Sequence, residues 1–470
     1  MTAGTNVCLL ATSVLELCKA PVTSGGFVHF IEFGGTFVNG TMQINAKGHL
    51  TIGGCDVVEL AQQYGTPLYV FDEEAVRQRA EDYKQALGSL PKSQIIYAGK
   101  AFLTVGMAAL VKQLGLGLDV VSGGELYTAL EADFPPEDIL FHGNNKSISE
   151  LQYALDAGVG RIVVDSFYEL QVLSQLAESK GVVVSILLRL TPGVEAHTHS
   201  YIQTGQLDSK FGLAIGNGAA MEAVREAQGL PNIQLMGVHC HIGSQIFDTE
   251  AFDATVLLMM DFMAAAAQEG HYLSELDLGG GLGIRHTDDD DPMDVTSFGR
   301  FLAQRLQEAA QERGLPLPKL LIEPGRSLVG EAGTTLYTVG VIKDLPGIRT
   351  YASVDGGMTD NPRVSLYQAV YEGLVANKME EEPAHTYTVA GKCCESGDKL
   401  LFDVCLPQLE SGDILAVPST GAYNYSMSSN YNQLPRPAVV CVYDGTSEIM
   451  VEREQYQDLV RLHKIPQRWR

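Results

Sequence analysis

Ile95-Ile-Tyr-Ala-Gly-Lys100, the helical pattern Thr104–Leu114 and Leu118-Asp-Val-Val-Ser122 together decide the architecture of this chain. A short apolar run is followed by a longer stretch with apolar residues at helical spacing, then by a second apolar run. Strands that apolar, separated by helices, belong to a parallel sheet covered on both faces. Working outward, the unit repeats: further strands are expected at Ile139–His142, Arg161–Asp165, Val184–Leu190, Met236–His241, Glu275–Leu278 and Leu320–Glu323. Helices are expected between them at Glu125–Ala132, Ser149–Asp156, Tyr168–Ser179, Ala219–Gln228, Phe252–Gln268 and Thr296–Arg313. Asp72 is placed to cap a helix over Glu73–Leu90, and Ser149, Ser166 and Thr249 to cap three of the others. Eight such strands predict closure into a (β/α)8 barrel.

The pattern changes after about residue 330. Thr334–Ile342, Tyr387–Ala390, Lys399–Cys405, Ile414–Ala416 and Ala438–Tyr443 are short, rich in β-branched or aromatic residues, and joined by Gly, Pro and Asp turns. They predict a mainly antiparallel β-barrel or sandwich over residues 331–470, with strands from residues 42–71, Pro67–Phe71 among them, joining it. The barrel then covers residues 72–330. Residues 1–41 lack a basic start and a clean cleavage site, and read as an extension, either poorly ordered or preceding a true start at Met42.

The formal charge of −25 argues against a nucleic-acid binder, which needs a basic footprint. No apolar stretch reaches the roughly 18 residues of a membrane span. Eight cysteines without a Cys-x-x-Cys pair argue against a disulfide scaffold or zinc ribbon and fit a reducing cytoplasm. The run Asp288–Asp291 reads as a solvated loop rather than a metal site, since four consecutive carboxylates cannot converge on one ion.

The reactive residues lie just past the strand ends: Lys100, Ser122, His142, His239-Cys-His241-Ile-Gly243-Ser244, Gly279-Gly280-Gly281-Leu-Gly283 and Glu323-Pro324-Gly325-Arg326. In a closed barrel those ends form one face, so they converge on one pocket. A lysine there is expected to lose charge through burial and become nucleophilic. Glu323 could keep a pyridine nitrogen protonated, or could form a structural pair with Arg326 in a tight turn. The glycine-rich turn lets backbone N–H groups approach a phosphate. His239 and His241 share a face on a regular strand, which also admits a metal-dependent barrel hydrolase.

Tyr97-Ala-Gly-Lys100-Ala, Gly237-Val-His-Cys-His241-Ile-Gly-Ser244-Gln, Glu323-Pro-Gly-Arg326-Ser, Asp355-Gly-Gly-Met358-Thr-Asp-Asn-Pro-Arg363, Cys394-Glu395-Ser-Gly-Asp398 and Gly421-Ala-Tyr423 occur in order from about Met42 to the C-terminus. In these motifs the chain resembles the diaminopimelate decarboxylases, of the alanine-racemase-like branch of pyridoxal-phosphate enzymes. Val194–His199 and Ser209-Lys-Phe-Gly212 are similar to the same family; Asn424 departs from it, standing where a smaller residue is usual. The resemblance implies decarboxylation of meso-2,6-diaminopimelate to L-lysine, with pyridoxal 5'-phosphate as cofactor. It implies that Lys100 holds the cofactor as a Schiff base, that Glu323 faces its ring nitrogen and that His241 faces its ring. Gly243, Ser244, the backbone of Gly279, Gly280 and Gly281, Pro324, Gly325, Arg326 and Tyr423 complete the cofactor site. Arg326, Arg363, Tyr367 and Tyr423 would take the substrate, with Glu395 on its distal ammonium and Cys394 as proton donor. Cys394 and Glu395 would come from the neighbouring subunit of a homodimer. The same fold also serves decarboxylases of ornithine, arginine or carboxynorspermidine, and a catalytically silent relative would keep the dimer face alone.

Overall fold

The computed structural model describes residues 39–194 and 209–470. Eight parallel strands, Ser93–Ala98, Gly117–Val120, Ile139–Phe141, Arg161–Val164, Val184–Thr191, Ile233–His239, Glu275–Asp277 and Lys319–Ile322, pair in chain order. The eighth hydrogen-bonds back to the first through Leu320 opposite Ser93, so the ring is closed. Leu213–Ala214 adds a parallel pairing at the end of the fifth strand. Every strand in the sequence reading is present, with no end shifted by more than three residues.

Inside the ring, Ile96, Leu140, Val163, Leu187 and Leu321 form a dry layer. Below it Arg161 donates two bonds to the Glu275 carboxylate, at 3.0 and 2.9 Å, from the first residues of the fourth and seventh strands. That end is tied shut, and chemistry is left to the opposite face. The sixth strand has a register shift between Leu235 and Gly237. A Cβ on Gly237 would lie 1.9 Å from the Glu275 carbonyl oxygen, so only glycine lets these strands approach there.

The helices start where the capping residues dictate, with two corrections. Asp72 caps Glu73–Ala86 and Ser166 caps Phe167–Lys180 as expected. Ser147, not Ser149, caps Ile148–Ala157, because Glu150 sits three residues on and completes a reciprocal capping box. Thr249 makes no cap bond; the Asp248 carboxylate accepts from Ala251 N–H at 3.3 Å instead.

The second unit is built on the long strand Gly333–Leu345. It pairs antiparallel with Leu68–Asp72, Arg349–Val354 and Ile414–Val417. Two pairings are parallel: Ala438–Tyr443 on Leu68–Asp72, and His385–Ala390 on Arg349–Val354. The short strands Gln43–Ile44, Leu50–Ile52 and Cys55–Asp56 form a small sheet of their own and join this unit by packing. Leu50, Ile52 and Leu60 share a core with Leu336 and Val440. Residues 39–41, assigned above to the extension, are packed: Asn39 donates to Ser419 Oγ at 2.9 Å, and the Thr41 hydroxyl donates to Asp72 at 2.7 Å. Residues 1–38 and His197 and His199 of the familial stretch lie outside the described residues.

Candidate active site

Three strand ends deliver the central group. Glu323 follows the eighth strand, His239 ends the sixth and His142 follows the third. All three are buried. His239 Nε2 lies 3.2 Å from one Glu323 oxygen and His142 Nε2 lies 2.6 Å from the other. Burial alone would raise the Glu323 carboxyl, but the two imidazoles reverse this and hold it well below the usual range. Arg326 does not pair with Glu323. Its guanidinium donates to Ser244 Oγ at 3.2 and 3.0 Å and stands 4.7 Å over the Tyr423 ring. The structural Glu–Arg pair considered above is therefore not formed.

Lys100 leaves the first strand on the short turn Gly99–Ala101. A Cβ on Gly99 would lie 2.7 Å from the Asp119 carbonyl oxygen, so glycine lets this turn lie against the second strand. The ammonium is 3.9 Å from Asp119 Oδ2. The expectation that burial lowers its pKa is overturned. Burial does pull it down, but Asp119, Tyr423 and Glu323 outweigh that and the net shift is upward. Without a partner to react with, this lysine is a held cation.

A cavity of 540 Å³ brings Lys100, His241, Ser244, Glu323, Arg326, Arg363, Tyr367 and Tyr423 together on its walls, with His142, His239 and Arg189. Glycines make the floor beside it. Gly279 has φ +65° and Gly281 φ +125°, and a Cβ on Gly281 would lie 2.8 Å from the Gly243 carbonyl oxygen. A Cβ on Gly280 would lie 2.3 Å from the Glu323 carbonyl oxygen. Gly243 itself has φ +153°. Gly280 N–H donates to His241 Nδ1 at 3.3 Å, and burial holds that imidazole well below its usual pKa, hence neutral. Pro324 accepts Ala98 N–H at 3.1 Å, and a Cβ on Gly325 would lie 3.0 Å from Ala98 Cβ, so this turn rests on the strand that carries Lys100. Tyr423, at φ +63°, donates its N–H to Ala101 at 2.8 Å, which brings the second unit onto the Lys100 turn. The neighbouring Asn424 is fully buried, with Oδ1 3.5 Å from the Tyr371 hydroxyl. Exchange of Gly281 for alanine is expected to store roughly 1–3 kcal/mol of strain and weaken cofactor affinity about tenfold or more, read by fluorescence titration.

Cys394 and Glu395 are not among the cavity's lining residues. Both are exposed, and Cys394 N–H donates to Asn432 Oδ1 at 2.7 Å. Their loop is held by Asp398, whose carboxylate accepts from Cys393 N–H at 2.7 Å and Met358 N–H at 2.6 Å. Arg363 is buried at the start of the short helix Arg363–Tyr367, and its Nε has no partner. A buried guanidinium in that condition calls for an anion.

Of the strand-end residues, His239 is turned to Glu323 and His142, and the ligand atoms of these three lie within 4.8 Å of one another. Regular strand geometry ends at His239, but His239 and His241 both line the cavity, so the two imidazoles still face the same space. Asp290 in the acidic run serves the backbone, accepting from His286 N–H at 2.9 Å and Thr287 N–H at 3.1 Å. Arg189, on the fifth strand, was missed by the sequence reading. Its only signal was a cation inside the otherwise apolar run Val184–Leu190.

A lysine amine, an ionised acid, a glycine cradle and a guanidinium with an unpartnered Nε on one barrel mouth define a site suited to a pyridoxal-phosphate enzyme. Residues 73–330 match the family described as "Pyridoxal-dependent decarboxylase, pyridoxal binding domain". The diaminopimelate decarboxylases of Halalkalibacterium halodurans and Bacillus subtilis are each 52% identical over 428 residues, covering 91% of this chain and 98% of theirs. The crystal structure of diaminopimelate decarboxylase from M. jannaschii in complex with L-lysine superposes with a TM-score of 0.86 at 34% identity, covering 91% of this chain and 98% of that one. That from Helicobacter pylori, also with L-lysine, gives 0.80 at 33%, covering 87% and 99%. The chain belongs to the diaminopimelate decarboxylase family of pyridoxal-dependent decarboxylases. Among the described residues no helix is long and apolar enough to cross a membrane.

Proposed function

We propose that this enzyme converts meso-2,6-diaminopimelate to L-lysine and carbon dioxide in a reducing cytoplasm, as a homodimer whose active sites are completed across the subunit interface. The observation that carries the reading is the Glu323 carboxylate, ionised and buried on the same cavity as the Lys100 amine. The residues fit pyridoxal phosphate. Lys100 would hold its aldehyde, Glu323 its ring nitrogen and His241 its ring face. Gly243, Ser244, the Gly279–Gly281 backbone and Tyr423 would hold its phosphate, with Pro324, Gly325 and Arg326 closing that side. When bound, the cofactor supplies a sink for the electron pair left on the substrate's α-carbon as carbon dioxide departs.

The chain's own residues do the rest. Arg326 and Arg363 bind the distal carboxylate, with Tyr367 beside Arg363, its ring centroid 5.7 Å away. A substrate without that carboxylate leaves the buried Arg326 Nη1 and Arg363 Nε without an acceptor, which discriminates against ornithine. Glu395 takes the distal ammonium, and Cys394 Sγ holds the proton delivered to the α-carbon, both from the partner subunit. The exposure of Cys394 and Glu395 away from their own cavity supports that assignment. No two of the six described cysteines are joined in a disulfide, which supports the reducing compartment.

Incubation with meso-diaminopimelate, with and without added pyridoxal phosphate, should yield lysine dependent on the cofactor. Carbon dioxide from ornithine but not diaminopimelate would overturn the substrate. Arg363→Ala is expected to raise KM roughly 10–100-fold with a smaller change in kcat, the loss of one charge-assisted contact. Unchanged saturation would remove Arg363 from the carboxylate site.

A further inference from the structure

The pairing of Glu323 is unusual for a buried acid. The nearest cation in sequence, Arg326, is turned away to Ser244. In its place stand two imidazoles: His239, from the sixth strand, is hydrogen-bonded to one carboxylate oxygen at 3.2 Å, and His142 Nε2, beyond the third strand, lies at ion-pair distance, 2.6 Å, from the other. Their rings meet edge to face with centroids 4.8 Å apart, so each fixes the other's orientation. We propose that His142 and His239 are positioning residues that clamp the Glu323 carboxylate and aim it at the cofactor's ring nitrogen. This deepens the function proposed above and rests on it.

The choice of imidazole has a physical reason. A guanidinium on Glu323 would neutralise the charge that the ring nitrogen needs. Burial pushes His239 down to about 3, so it is neutral and can donate a hydrogen bond without cancelling that charge. The neighbouring groups act the same way. Burial and Glu323 push Asp277 well up, and burial pushes Asp119 up against the opposing pull of His142. Arg189 and Lys100 face Glu323 from the fifth and first strands, and their positive fields support it. His239 Nδ1 has no hydrogen-bond partner, so the one hydrogen bond of this ring goes to Glu323.

The test reads the ring nitrogen directly, by 15N NMR of the holoenzyme reconstituted with ring-labelled pyridoxal phosphate. His239→Leu should move the resonance from the protonated towards the neutral position, whereas His239→Gln, which keeps a donor, should leave it near wild type. In parallel kcat should fall roughly 10–100-fold for the leucine variant, with KM changed less than about threefold and most of the loss recovered by glutamine. His142→Leu should act in the same direction. Equal shifts in the leucine and glutamine variants, or a shift in neither, would overturn the proposal. Should His239→Leu fail to fold, His239→Met lacks the donor and takes its place in the comparison. The spectrum needs no substrate. Failure of wild-type enzyme to make lysine would therefore end the functional reading while the nitrogen resonance still decides the clamp.

Discussion

Lys100→Ala should abolish turnover and the borohydride-sensitive colour of the holoenzyme together, with kcat reduced by roughly four orders of magnitude or more. The size of the effect follows from geometry. Lys100 projects from a turn set by Gly99 into the cavity that also holds Glu323, and no other lysine on its wall comes from that strand end. Lys210 also lines the cavity, but it stands over the Phe211 ring, with Nζ 4.9 Å from the centroid. The variant should fold. The Lys100 side chain is 36% exposed, so truncation opens no core void. A melting temperature within a few degrees of wild type, about what loss of one partly exposed side chain costs, would separate lost chemistry from lost structure. Colour that survives in the variant would show that another amine holds the cofactor.

Cys394→Ala should slow turnover roughly 10²–10⁴-fold, the range for loss of a positioned proton donor, while cofactor content stays at wild-type level. The two variants together test the shared site. Each is nearly inactive alone. In a hybrid dimer one site receives Lys100 from one chain and Cys394 from the other. An equimolar mixture, remixed from subunits, should therefore recover about a quarter of wild-type activity, since half the dimers are hybrid and each has one complete site. No recovery would return Cys394 to its own chain's pocket, where its loop, held by Asp398 and Asn432, does not reach the cavity wall. Loss of cofactor from Cys394→Ala alone would make its role structural.

The barrel was legible because its signals are local. Apolar runs of strand length, helical spacing and capping residues act over a few positions, so the eight strands and most helix starts could be read directly. The failures were also local competitions. Ser147 and Ser149 are equally good caps in isolation, and the reciprocal bond with Glu150 decides for Ser147. In the second unit, Arg349–Val354 and Thr446–Val451 were missed. The latter had a usable signal in Asp444-Gly445, both at positive φ, the turn that closes a two-residue hairpin.

The candidate site divides in the same way. Which residues stand at strand ends was legible, because strand and turn are set by neighbouring residues. What each does there was not. The Lys100 charge, the refusal of Arg326 to pair with Glu323, and the turn of His239 towards Glu323 all depend on groups brought together by ring closure.

Residue order alone was enough to specify an alternating strand–helix chain, its glycine turns and the chemical groups at each strand end, since those depend on short-range sterics and periodicity. Closure of the ring chose which of these groups meet: His239 and Glu323 are 84 residues apart in the chain and 3.2 Å apart in space. Removal of water then set their charge states, because the energy of a buried ion depends on every neighbour the fold supplies. No local stretch of this chain contains that information.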